Sequence, residues 1–192
     1  ALSRSREYQI SSAHCKLGLV TAGRMPRERT VFATVGTTQF DALVDKLVST
    51  EVTHLLAQQG YTRLVIQFGR GAEPELPTTP AIPVEYYRFK DSLAADMHSA
   101  ALIVSHAGAG SIMEGLRCDA HLLVVVNDAL MDNHQQEVAN ELDKRSHLVA
   151  TTPTGLLDAL REMPLRAQSL QPWPASDATA FSRYLDGALG LE

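Results

Sequence analysis

Four short, nearly continuous apolar runs constrain this chain more than any other feature: VFATV (31–35), RLVIQF (63–68), ALIVS (101–105) and LLVVV (122–126). Their apolar residues do not alternate with polar ones, so each reads as a strand buried on both faces. Helical periodicity lies between them. Phe40, Leu43, Val44, Leu47, Val48, Val52, Leu55 and Leu56 repeat at the spacing of one helix, which Gly60 closes. After 63–68 comes a loop over 70–83 with four prolines, then a strand over 84–89 and a short helix over 91–99. Helices are expected at 111–117, 132–144 (with Val138, Ala139 and Leu142 inward) and 154–162, and a short strand at 147–150. Such alternation predicts an α/β, Rossmann-like fold, a mostly parallel sheet with helices on both faces.

The ends read differently. Residues 1–29 hold six Lys or Arg against two Glu, with scattered serines and little periodicity. Met25-Pro26 resembles a natural start, so 1–24 are expected to be an extension, appended or disordered, outside the fold. Residues 25–170 then form the ligand-binding domain. Residues 171–192 are a linker, QPWPAS, and a last amphipathic helix over 176–189.

Composition excludes several functions. The formal net charge of −5 supplies no concentrated basic face for nucleic acid. The run 122–126 is far too short to span a bilayer, so no transmembrane segment is expected. Two cysteines, Cys15 and Cys118, make neither a CxxC pair nor a disulfide framework, and a cytoplasmic setting follows.

The stretch SHAGAGSIMEG (105–115) raises the functional question. A dinucleotide fingerprint needs a third glycine where Met113 stands, and G-x-x-x-x-G-K-[ST] is absent. What remains is strand, small-residue turn and helix, a pattern that serves equally as a diphosphate cradle or a tight turn. Ser111 and Glu114 have capping-box spacing, by which Glu114 would satisfy an N–H at its own helix start. The alternative sets Glu114 against a ribose diol, since a carboxylate repels phosphate. The next strand leads into LMDNHQQE (130–137), where Asn133, His134, Gln135 and Gln136 offer donors and acceptors suited to sugar hydroxyls. A solvated first helical turn is the plain reading of each one alone.

Four stretches together are more specific. RFKDSLAADMHSAALIVSHAGAGSIMEGL (88–116) and VVVNDALMDNHQQEVANEL (124–142) resemble the donor-binding half of family 28 glycosyltransferases. VFATVGTTQFDALVDKL (31–47) and GYTRLVIQFGRG (60–71) resemble its opening strands. The likeness covers roughly 30–189, and within the family it is strongest to the soluble subunits of the dolichol pathway.

The resemblance implies a GT-B half-enzyme that binds UDP-GlcNAc. Gly36, Thr37 and Thr38 take the place of a first phosphate-facing loop, and Gly108, Ala109, Gly110 and Ser111 of the diphosphate turn. Phe89 and Lys90 fall where main chain reads the uracil edge. Glu114 matches the ribose carboxylate, and Gln135 and Gln136 the pair that reads N-acetylglucosamine hydroxyls. Asn133 and His134 belong to the same polar cluster. The implied reaction is inverting transfer of GlcNAc to dolichyl-diphosphate-GlcNAc, the second step of lipid-linked oligosaccharide synthesis. Without an Asp-x-Asp pair, no metal or other cofactor is expected. The length suits one domain only, so a membrane-anchored partner is implied to supply the acceptor side and hold this subunit at the cytosolic face of the endoplasmic reticulum. Phe181, Tyr184, Leu185 and Ala188 of the last helix are the residues expected to dock there. His106 and His134 are candidates for the general base, as is a partner side chain. Two alternatives stay open: a non-catalytic UDP-sugar-binding or regulatory module, and a UDP-sugar epimerase or hydrolase.

Overall fold

The computed structural model describes residues 29–127 and 133–175, together with 179 and 183. Six strands form one all-parallel sheet: β1 (Thr30–Thr34), β2 (Arg63–Gln67), β3 (Val84–Tyr87), β4 (Ala100–His106), β5 (His121–Val125) and β6 (Val149–Thr151), in the order β3-β2-β1-β4-β5-β6. The helices are α1 (Asp41–Val48), α2 (Thr50–Gln58), α3 (Ala94–Ser99), α4 (Ala109–Gly115), α5 (Asn133–Lys144) and α6 (Leu156–Arg166).

Each inner strand divides its side chains between two cores. Val31, Ala33, Leu102, Val104, Leu123 and Val125 face one side, where they pack with Leu43, Leu47, Val52 and Leu56 of α1 and α2 and Leu156 and Leu160 of α6. Phe32, Ile103, Leu122 and Val124 face the other, against Met97, Ile112 and Ala139 from α3, α4 and α5. This two-sided burial is why the strands carry no alternation.

The expected helix over 40–56 is two. Ser49, at ψ 149°, leaves the helical region; its hydroxyl donates to Lys46 O (2.8 Å) and accepts from Val52 N (3.4 Å). One serine thus ends α1 and caps α2. Val138, expected inward, is exposed, while Ala139 beside it is fully buried, as the 100° step between neighbours on a helix requires. The strand expected at 84–89 stops at Tyr87, because its partner β2 ends at Gln67.

Helix α6 carries Pro164 inside it. Proline has no N–H, so the Leu160 carbonyl one turn earlier lacks its helical donor. Gln59, just past α2, supplies it: Nε2 donates to Leu160 O at 2.7 Å. At the C-terminal end Trp173 joins the second core and meets His147 edge-on at 5.0 Å. Residues 1–24 and the docking residues Phe181, Tyr184, Leu185 and Ala188 lie outside the described residues. Among the described residues no helix is long and apolar enough to cross a membrane.

Candidate nucleotide-sugar site

The strand order reverses between β1 and β4, since the chain builds outward from β1 to β3 and then from β4 to β6. Loops leaving the carboxyl ends of two such strands diverge and leave a crevice, the usual ligand position in doubly wound sheets. Here the two loops are 35–40 and 107–108. They border a cleft of about 460 Å³ lined by Gly36, Thr37, Lys90, Asp91, Ser92, Leu93, Ala94, His106, Gly108, Gly110, Ser111 and Glu114.

His106 wedges the two turns together. Gly36 has φ +62°, and a Cβ there would lie 2.6 Å from His106 Cε1. A Cβ on Gly108 would collide with Nε2 of the same ring. Both turns therefore need glycine for a specific reason: an imidazole fills the space a side chain would take. Among the described residues, His106 Nδ1 is buried without a hydrogen-bond partner. Burial pushes the imidazole below its ordinary value, only partly opposed by the Thr34 backbone, so the ring is neutral at neutral pH.

A buried polar pair sets the first turn. Thr34 Oγ1 donates to Gln67 Oε1 (2.6 Å) and accepts from Gly36 N (3.1 Å). Gln67 Nε2 donates to Gly36 O and Arg88 O, each at 2.8 Å. One amide thus ties the end of β1 to the chain leaving β3. Thr34 and Gln67 were not singled out from the sequence. The signal was present as two polar residues inside otherwise apolar strands, both fully or nearly fully buried.

Helix α4 begins two residues before its expected start. Gly108 is its N-cap, with no side-chain cap, so Ser111 and Glu114 form no capping box. Instead Glu114 lies in the last turn, on the cleft wall, and its carboxylate has no hydrogen bond or ion pair among the described residues. Ser111 lines the cleft beside it.

Of the expected contacts, Thr38, Phe89, Ala109 and Gln136 are absent from the lining. Thr38 spends its hydroxyl on Val35 O (2.8 Å) and is a turn residue. Phe89 has its ring half exposed, and Ala109 lies within the first turn of α4. Asp91, Ser92, Leu93 and Ala94, in contrast, line the cleft without having been expected to; they form the approach to α3, where Ser92 Oγ accepts from Ala94 N (3.2 Å). Asn133, His134, Gln135 and Gln136 open α5, which starts from the same carboxyl edge, beyond β5 and next to β4. Gln136 is exposed. Among the described residues no group of three or more His, Cys, Asp or Glu could hold a metal ion.

A doubly wound parallel sheet with a glycine-bordered crevice at its switch point defines a Rossmann-like ligand-binding domain. Residues 30–186 match the glycosyltransferase family 28 C-terminal domain, and the chain belongs to that family. It is 46% identical over 159 residues to the UDP-N-acetylglucosamine transferase subunit ALG13 of Mus musculus, covering 78% of this chain and 13% of the mouse protein. The subunit of the same name from Saccharomyces cerevisiae is 33% identical over 193 residues, covering 82% of this chain and 95% of the yeast protein. An NMR solution structure of ALG13 superposes with a TM-score of 0.61 at 30% identity, covering 83% of this chain and 96% of that one. The chain thus spans a small part of the mouse relative and nearly all of the yeast one.

Proposed function

We propose that this chain is the donor-binding domain of an N-acetylglucosaminyltransferase that uses UDP-GlcNAc. In this reading the sugar passes, with inversion, to dolichyl-diphosphate-GlcNAc. A membrane-anchored subunit supplies the acceptor side and holds the chain at the cytosolic face of the endoplasmic reticulum. The observation that carries the reading is the meeting of the Gly36 and Gly108 turns around His106 at the β1/β4 crevice, with Glu114 on the wall and its carboxylate unpaired among the described residues.

Small turns let main-chain N–H groups approach a diphosphate closely, and donors fixed before binding need no reorganisation when UDP departs. The reading asks for no metal. Glu114 suits the ribose hydroxyls, and the first turn of α5 brings Gln135 and Gln136 to the hexose. A neutral imidazole can accept the proton of an attacking hydroxyl, which keeps His106 beside His134 as a candidate base. The relatives are named as transferase subunits, which supports an acceptor side on another polypeptide.

Product analysis tests this. The chain is incubated with UDP-GlcNAc and dolichyl-diphosphate-GlcNAc, with and without membranes carrying a candidate partner. Weak donor binding and little transfer are expected alone, and a second GlcNAc on the lipid with the partner. Robust transfer by the chain alone overturns the split site. Binding without transfer under any condition indicates a regulatory module, and release of free or epimerised sugar a hydrolase or epimerase.

A further inference from the structure

The cleft wall formed by 90–94 is held by side chains that the reading above does not use. Strand β3 is an edge strand, and its pairing ends at Tyr87 opposite Gln67. The chain runs on past that pairing. Among the described residues, the main-chain N–H and C=O groups of Phe89 and Lys90 make no hydrogen bond. Free backbone therefore leads into the cleft wall, with Phe89 just before the lining and Lys90 in it.

That backbone is clamped on both sides. Before it, Arg88 donates from Nη1 to Gly69 O (2.9 Å) and Gly71 O (3.0 Å), with its guanidinium 4.6 Å from the centre of the Phe68 ring. Gln67 holds Arg88 O. After it, a single oxygen gathers two donors: Asp96 Oδ2 accepts from Tyr87 OH (2.5 Å) and from Lys90 Nζ (2.8 Å). The same ammonium sits 4.0 Å above the Tyr87 ring. Tyr87, Lys90 and Asp96 thus close a loop across Phe89, from the end of β3 to the first turn of α3.

We infer that Tyr87 and Asp96 are positioning residues for nucleobase selectivity, holding the main chain of Phe89 and Lys90 as the edge against which the donor's base docks. The inference rests on the nucleotide-sugar reading above. A diphosphate at the glycine turns leaves the base to another wall of the cleft, and on the 90–94 wall the Lys90 backbone is unpaired among the described residues, beside Leu93 and Ala94. A planar base is read by donors and acceptors at fixed spacing, and hydrogen bonds weaken steeply when misaligned. A clamp on the backbone therefore controls selectivity without touching the base. As a staple for the fold the Lys90–Asp96 ion pair is worth little, because the Lys90 side chain is nearly half exposed. Its chemistry suits a permanent clamp. Burial, then the hydrogen bond to Asp96 and its charge, push the Tyr87 phenol far above its usual range, so it remains a donor. Burial raises the Asp96 carboxyl, but hydrogen bonds from Lys90 and Tyr87 and the charges of Lys90 and Arg63 outweigh it and hold the group below its ordinary value.

The test uses the full chain with Asp96→Asn and, as the smaller change, Tyr87→Phe. Affinities for UDP, GDP and inorganic pyrophosphate are measured by calorimetry, with a thermal melt on each protein. Both variants are expected to lose roughly tenfold in UDP affinity, the scale of one or two misplaced hydrogen bonds, with pyrophosphate affinity unchanged and the preference for UDP over GDP reduced. UDP and pyrophosphate weakening in parallel, or an unchanged preference in a folded Tyr87→Phe protein, overturns the inference. Unaltered chain that binds pyrophosphate but shows no preference for UDP overturns it as well, and so does failure to bind either ligand, which takes the underlying reading with it.

Discussion

At the scale of single residues, Glu114 is where sequence and structure exchange readings. The capping-box spacing offered it a structural duty, but Gly108 caps α4 and Glu114 sits a turn and a half away, on the cleft wall. With no cap to lose, Glu114→Ala should leave the melting temperature nearly unchanged. It should weaken UDP binding by about 1–3 kcal/mol, the scale of a charge-assisted hydrogen bond. Calorimetry beside a melt distinguishes the two effects, and a stability loss with intact affinity would return the residue to a purely structural role. Gln135 and Gln136 call for a ratio instead. If they read the hexose, Gln135→Ala or Gln136→Ala should reduce UDP-GlcNAc affinity about tenfold and leave UDP nearly untouched, since UDP has no hexose to lose. Equal weakening of both ligands would move hexose recognition elsewhere.

Among the elements, the join of α2 and α6 shows how a local defect becomes a tertiary bond. Pro164 strands the Leu160 carbonyl, and Gln59 reaches across 101 positions of sequence to satisfy it. Among the described residues Gln59 Oε1 is itself buried without a partner, so the net gain is modest. Gln59→Leu is expected to cost about 1 kcal/mol, read from urea unfolding. Placing the same change on Pro164→Ala should cost less, because the alanine N–H can return to Leu160 O. Additive losses in the double variant would show that the amide does something other than fill that vacancy. Ser49 makes a similar point about boundaries. The periodic apolar residues from 40 to 56 read as one helix because both helices bury the same face, and a single side-chain cap breaks them.

For the molecule as a whole, burying a neutral imidazole links stability to pH. Folded His106 titrates below 6.5, the ordinary imidazole value, while the unfolded chain protonates near it. Between 6.5 and the lower folded value the unfolded state binds more protons, so stability falls as pH falls through that window and rises as pH climbs out of it. Melts from pH 7 to 5 should show a shallower decline for His106→Gln than for the unaltered chain, and equal slopes would remove His106 as the cause. The same residue marks the limit of the sequence reading. Unbroken apolar runs separated by helical periodicity determined the α/β class by themselves, because only strands covered on both faces tolerate such runs. The glycines of the β4–α4 turn and the polar opening of α5 were legible too, as local departures from that pattern. Pairing across distance was not legible. That His106 fills the space beside both Gly36 and Gly108, that Gln67 ties β1 to the chain leaving β3, and that Tyr87 and Asp96 clamp the cleft wall all depend on the sheet order β3-β2-β1-β4-β5-β6. Periodicity reports which face of an element is buried, whereas the neighbour it meets is decided only when the sheet assembles.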